Sequence, residues 1–133
     1  MAKGLEQHQA HQAKLMALGK DLTRRAGSKC ELCESAGVSL RPYEVPPEEE
    51  EPRVESCVFI CDTCREQLDK PKRMNVDHWR CACQSVWSEV PVVQVLAARV
   101  LDHLGKKEIW AREALADVYF DEEVESWISL KAL

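Results

Sequence analysis

The sequence predicts an α+β protein in which a small β-containing cysteine module is packed with mostly helical flanks. Three observations carry this. Two Cys-x-x-Cys pairs, Cys30/Cys33 and Cys61/Cys64, enclose segments rich in strand-type residues. Apolar residues recur at helical spacing before the pairs and again through the last third of the chain. Between the pairs lies a stretch of prolines and glutamates that suits neither helix nor strand. At 133 residues, 45% of them hydrophobic, the chain suffices for one packed domain. Residues 1–133 are therefore read as a single domain, with the cysteine module over about 26–70 and a helical segment over 77–133.

Each element follows from local pattern. Residues 5–25 read as one helix, with Leu15, Leu18 and Leu22 at i, i+3 and i+7 and Ala26-Gly27-Ser28 as its stop. Val38–Val45 reads as a strand or hairpin arm. Pro46-Pro47-Glu48-Glu49-Glu50-Glu51-Pro52 reads as a solvated loop because breakers and like charges alternate with nothing apolar. Val58-Phe59-Ile60 reads as a short buried strand, leading into the second cysteine pair and a helix through Leu68. Residues 69–76 form a polar connection. Ser88-Glu89-Val90-Pro91 starts a helix with proline in its first turn, and Val92, Val93, Leu96, Val100, Leu101 and Leu104 form its apolar stripe up to Gly105. Glu108–Phe120 reads as a second helix. Asp121 is placed to cap a third, which carries Val124, Trp127 and Ile128. The four tryptophans, Trp79, Trp87, Trp110 and Trp127, are read as core residues, an aromatic partner surface being the alternative.

Composition excludes several classes. No apolar run approaches the roughly 18 residues of a membrane span. The first residues, MAKGLEQHQAHQAKL, lack the apolar run of a secretory signal, so the expectation is a cytoplasmic protein without membrane contact. Seven cysteines cannot all pair as disulfides, which argues against a secreted disulfide scaffold.

The cysteine spacing is the most informative motif. A Cys-x-x-Cys turn sets two thiolates on one side, and two such turns close the four-thiolate tetrahedron that Zn²⁺ takes. Cys30, Cys33, Cys61 and Cys64 are the expected ligands of a structural Zn²⁺. The first pair has the look of a zinc knuckle. The second leaves a strand and enters a helix, so the pattern suggests a treble-clef or zinc-ribbon-like module. An iron–sulfur cluster, two redox pairs or plain buried thiols are the alternatives. A closed shell of four thiolates leaves no position for water, so the metal is expected to be structural. Cys57, His78, Cys81 and Cys83 are the candidates for a second metal site, against a reading of the cysteines as small buried hydrophobes and His78 as a hydrogen-bonding residue. Cys57 is also a candidate substitute ligand in the first site. His8 and His11 stand at i, i+3 and are read as a solvated face rather than a metal pair.

Catalytic signatures are missing. There is no Gly-x-Ser-x-Gly, no phosphate-loop pattern and no Gly-x-Gly-x-x-Gly. A Cys81–His78 nucleophile pair has no nameable oxyanion partner. The expectation is a non-enzymatic binding or accessory protein acting on an unknown protein partner.

Charge is segregated. Residues 1–29 carry six basic against two acidic side chains, whereas residues 30–70 carry eleven acidic against four basic. With a formal net charge of −5 there is no chain-wide basic footprint. If nucleic acid binds, Lys14, Lys20, Arg24, Arg25 and Lys29 are the expected contacts.

Two family resemblances follow. Gly27-Ser28-Lys29-Cys30-Glu31-Leu32-Cys33, Tyr43-Glu44-Val45-Pro46-Pro47, Cys61-Asp62-Thr63-Cys64, His78-Trp79-Arg80-Cys81 and Trp87-Ser88-Glu89-Val90-Pro91-Val92-Val93-Gln94-Val95 together resemble the bacterial PhnA-type family, named as alkylphosphonate-utilisation operon proteins. The resemblance runs from about residue 18 to 130. It implies a small cytoplasmic zinc-binding protein. Longer members carry a further C-terminal β-rich domain. The family name reflects gene location and supplies no reaction, so a role in phosphonate metabolism, as accessory protein or enzyme, stands as an alternative. Residues 30–68 are similar to the zinc-bearing HNH nucleases. Those carry a His pair, an Asn and further His residues where this chain has Pro42-Tyr43, Ser56-Cys57 and Arg65. This second resemblance implies a degenerate scaffold without nuclease chemistry, and leaves a nucleic-acid-binding regulator as the other alternative.

Overall fold

The computed structural model describes residues 2–133, and these fold as helices around one small antiparallel sheet. In chain order they are α1 (Ala2–Met16), α2 (Gly19–Ala26), β1 (Leu40–Glu44), β2 (Cys57–Cys61), α3 (Asp62–Asp69), α4 (Ala82–Ser85), α5 (Pro91–Leu104), α6 (Ile109–Ala116) and α7 (Glu122–Ser129). Single 3₁₀ turns cover Val54–Ser56, Pro71–Arg73 and His78–Cys81. Among the described residues no helix is long and apolar enough to cross a membrane.

The sheet is a hairpin of two strands, with Leu40 opposite Cys61 and Glu44 opposite Cys57. All five residues of β2 are buried, because both of its faces are covered. Cys57 and Phe59 point to one side and pack with Leu15 and Leu22 of α1 and α2. Val58 and Ile60 point to the other and join the main core with Trp79 and the apolar face of α5. Alternation of side chains along a strand thus divides the interior into two clusters. Pro42 is tolerated because β1 has a partner on one side only.

Helix α5 is the centre of the larger cluster. Ten of its fourteen residues are buried, so it is apolar nearly all round, as a core helix must be. It begins at Pro91 as expected. Gly105 ends it for a reason of space rather than of φ: a Cβ there would lie 2.7 Å from Cγ of Arg112 and 3.0 Å from the carbonyl of Leu101.

Four expectations are corrected. The helix over 5–25 is two helices, broken at Ala17–Leu18, where the Leu18 N–H closes a tightened turn onto the Leu15 carbonyl at 3.0 Å. Gly19, a poor helix former, opens the second helix. The helix over Glu108–Phe120 stops at Ala116. Val118 and Phe120 then pack on the core while Tyr119 between them is 97% exposed, an extended in-out-in pattern that helical spacing cannot produce. Trp87 is 57% exposed on the turn after α4, whereas Trp79 is fully buried and Trp110 and Trp127 pack against the core. Asp121 does precede α7, but its side chain makes no cap bond; Glu122, Glu123 and Glu125 supply the negative charge that the helix start favours.

One buried charge organises the helical half. Arg99 of α5 is 3% exposed and faces no carboxylate. Its guanidinium donates to the carbonyls of Pro46 at 2.5 Å, Trp127 at 2.6 Å and Ile128 at 3.4 Å. The last two belong to the final turn of α7, where the dipole favours a cation; the Trp127 carbonyl also accepts the Leu130 N–H at 3.1 Å. Burial lowers the Arg99 pKa from its ordinary value. Arg99→Met is expected to strip these carbonyls of their shared donor and lower stability by about 2–4 kcal/mol, read as a shift of the urea unfolding midpoint of the metal-loaded protein.

Candidate metal centre

The two halves of the centre form by different local rules. Cys30 to Ser35 is a tight knuckle. The Cys30 N–H donates to the Ser35 carbonyl at 3.0 Å, the Glu34 N–H to the Cys30 carbonyl at 2.8 Å, and the Cys33 N–H points to the Cys30 sulfur at 3.5 Å. A single bridge from Lys29 to Ala36 closes it. Glu34 adopts a left-handed backbone with φ 64°, which lets the chain reverse immediately after Cys33. The other half is a strand-to-helix junction. Cys61 ends β2 and stands at the N-cap of α3, and Cys64 lies in the first turn of that helix. The free N–H groups of that turn favour negative sulfur nearby.

These elements bring the four expected ligands together, and one ligand atom from each of Cys30, Cys33, Cys61 and Cys64 lies within 4.8 Å of every other. The sulfurs of Cys30 and Cys64 are 3.8 Å apart and those of Cys33 and Cys61 are 3.6 Å apart. A tetrahedron with metal–sulfur bonds of about 2.3 Å has edges of about 3.8 Å. The donor set and the spacing therefore fit a metal ion of the kind four thiolates hold. Without a cation, contact with Cys64 draws the Cys30 thiol far below the ordinary thiol range, and the same contact together with burial pushes Cys64 up.

A ring of polar contacts supports the sulfurs. His78 Nε2 lies 3.2 Å from the Cys64 sulfur, and burial pulls the His78 pKa down, which favours the neutral ring. His78 is held by the Asn75 side chain, which accepts its backbone N–H at 3.2 Å, and by edge-on contact with Trp79. Gln67 in α3 accepts from the Trp79 indole at 2.8 Å and from the Asn75 N–H at 2.7 Å, so this strut returns to the helix that carries Cys64. The Ser35 hydroxyl lies 3.1 Å from the Cys33 sulfur.

The knuckle is fastened to β2 by an ion pair that sequence reading missed. Glu31, between the first two cysteines, accepts from Arg25 at 2.7 and 3.0 Å and from the Phe59 N–H at 2.8 Å. Arg25 also donates to the carbonyls of Val54 at 2.8 Å and Cys57 at 2.7 Å. Arg25 is thus engaged internally, contrary to its expected place in a nucleic-acid contact. Lys14 pairs with Glu51 of the acidic loop at 2.6 Å, while Lys20, Arg24 and Lys29 remain exposed. No spacing rule distinguishes Arg25 from Arg24; only the turn of α2 relative to β2 does.

The second candidate set does not come together. Cys57 lies on the α1–α2 side of β2, where alternation separates it from Val58 and the main core. Cys81 and Cys83 pack against the main core, and His78 directs Nε2 to Cys64 rather than to Cys81. Among the described residues, Cys57, His78, Cys81 and Cys83 form no ligand group. Cys81 does line a small cleft of about 220 Å³ beside Cys33.

Two outcomes check this account. Arg25→Ala is expected to lose about 3 kcal/mol of stability by stranding a buried carboxylate, whereas Arg24→Ala is expected to leave the urea midpoint unchanged. Burial pushes the Cys57 and Cys81 thiols up to about 11 and about 12. A raised pKa lowers the thiolate fraction, to about a thousandth or less at pH 8. Peptide mapping after brief alkylation of the metal-loaded protein near neutral pH should therefore find Cys57 and Cys81 largely unmodified.

No protein-family model matches this chain, and neither a curated protein nor a solved structure shows significant similarity to it, so the reading of the centre rests on its geometry.

Proposed function

We propose that this is a small zinc protein whose metal is structural, and that the protein acts as a binding or accessory component rather than as an enzyme. The observation that carries the reading is the four-sulfur set with edges of 3.6 and 3.8 Å. Zn²⁺ is the common occupant of such a set, and four thiolates leave it no position for water or substrate. The metal then joins two distant segments of a small module, where structural zinc supplies much of the folding free energy, on the order of 10 kcal/mol.

The finer fold follows from the same reading: knuckle, β1–β2 hairpin and α3 compose a treble clef, with α1–α2 on one side and α4–α7 on the other. The residue strings that resemble the PhnA-type family support membership in it, and with it a cytoplasmic setting, where thiols stay reduced. His78, Trp79 and Cys64 of those strings lie together at the centre, which is what a shared scaffold requires. At the positions where HNH nucleases carry histidines the chain has Pro42-Tyr43 and Arg65, none suited to activate water at neutral pH.

Native mass spectrometry of untagged protein purified without added metal is expected to give one zinc per chain, and chelation is expected to unfold it. A metal-free chain with intact helical circular dichroism would overturn the reading. A salt-dependent shift with DNA or RNA, abolished by Lys20→Ala with Arg24→Ala, would instead establish the regulator reading.

A further inference from the structure

A second set of ligand-type side chains converges in the cleft between α1 and the β1 end of the hairpin. His11 Nε2 lies 2.6 Å from Glu44 Oε1, although the two are 33 residues apart. The Glu44 side chain is only 3% exposed, and its other oxygen accepts the Glu49 N–H at 3.0 Å. Glu48 adds a carboxylate from the loop that follows β1. One ligand atom from each of His11, Glu44 and Glu48 lies within 4.8 Å of the others. His8, one turn before His11, and Asp69, at the end of α3, line the same cleft of about 500 Å³. Arg65 also lines it, but its guanidinium turns to Asp62 at 3.4 Å, and the carboxylates of Glu44, Glu48 and Asp69 outnumber the cations.

This differs from a surface acidic cluster in three respects. It contains an imidazole, the most versatile metal ligand. Its central carboxylate is buried. Its ligands come from a helix, a strand and a loop, so the fold itself holds them together.

We propose that His11, Glu44 and Glu48 form a divalent-cation site of nitrogen and oxygen donors. Imidazole with carboxylates suits Zn²⁺, Mn²⁺ or Fe²⁺, and three protein ligands leave coordination positions open to water or a small anion. The cation takes the place of the proton between His11 and Glu44: the Nε2 proton leaves for Nδ1 or solvent, and the lone pair turns to the metal. The bound ion would also clip α1 to the hairpin. The site is independent of the four cysteines in both position and donor chemistry.

The test uses the full chain with its cysteine site already filled by zinc. Mn²⁺, which favours oxygen and nitrogen over thiolate, is titrated and free Mn²⁺ is read by electron paramagnetic resonance. The wild type is expected to bind one Mn²⁺ per chain. His11→Ala and Glu48→Gln are each expected to weaken that binding at least about tenfold, with the single zinc retained. Glu48 is exposed, so its variant tests the site without threatening the fold. Absence of Mn²⁺ binding, or binding unchanged in both variants, would show that His11 and Glu44 are an ion pair and nothing more. Zinc content of the same wild-type sample, read by native mass spectrometry, separates failure of the cysteine reading from failure of this one.

Discussion

Strand β2 is buried on both faces, and the rest of the structure is arranged to keep it so. A two-stranded ribbon has no stability of its own in water. Here Cys57 and Phe59 need the leucines of α1 and α2, while Val58 and Ile60 need Trp79 and α5. The strand then delivers Cys61 directly to the metal centre and continues into the helix that carries Cys64. One doubly covered strand thus sets the position of half the ligand set and joins both apolar clusters.

The knuckle is placed on β2 by a backbone bond, from the Glu31 N–H to the Phe59 carbonyl at 2.9 Å, and by charge. Glu31 and Arg25 lock the first cysteine turn to the backbone of β2 and to the turn before it. Arg99 plays the same part at the other end of the core, gathering the last carbonyls of α7 and the carbonyl of Pro46. Both sites use arginine because a planar guanidinium can satisfy several fixed acceptors at once, which a lysine ammonium on a flexible stem does less well. In both, the partners are mainly backbone carbonyls. These are positional devices: each fixes how a helix or turn lies on the hairpin.

The hairpin also separates two kinds of donor. Sulfur ligands collect where the Leu40–Cys61 end meets the knuckle, and imidazole and carboxylates collect where the Glu44–Cys57 end meets α1. Five residues of strand keep the two sets apart. Their chemistries are unlike as well, since thiolates favour softer cations and carboxylates harder ones.

Much was legible from sequence because it depends on near neighbours. The Cys-x-x-Cys turns, the short apolar strand, the proline start of α5 and the solvated Pro/Glu loop all follow from local chemistry, and the ligand set of Cys30, Cys33, Cys61 and Cys64 could be named from spacing. What spacing could not settle were choices between equivalent residues far apart in the chain. Arg25 and Arg24 are indistinguishable in sequence, yet one is an internal strut and the other is exposed. His11 read as a solvated residue until α1 brought it to Glu44. Cys57 read as a neighbour of the four clustered cysteines until β2 ran extended and set it at the opposite end of the strand from Cys61, packed with Leu15 and Leu22. Local pattern specifies which elements form and which residues can chelate, because those depend on φ/ψ preference and short separations. Which charged or polar side chain meets which partner depends on how whole elements dock, and that is decided only when burial of both faces of β2 fixes the helices around it.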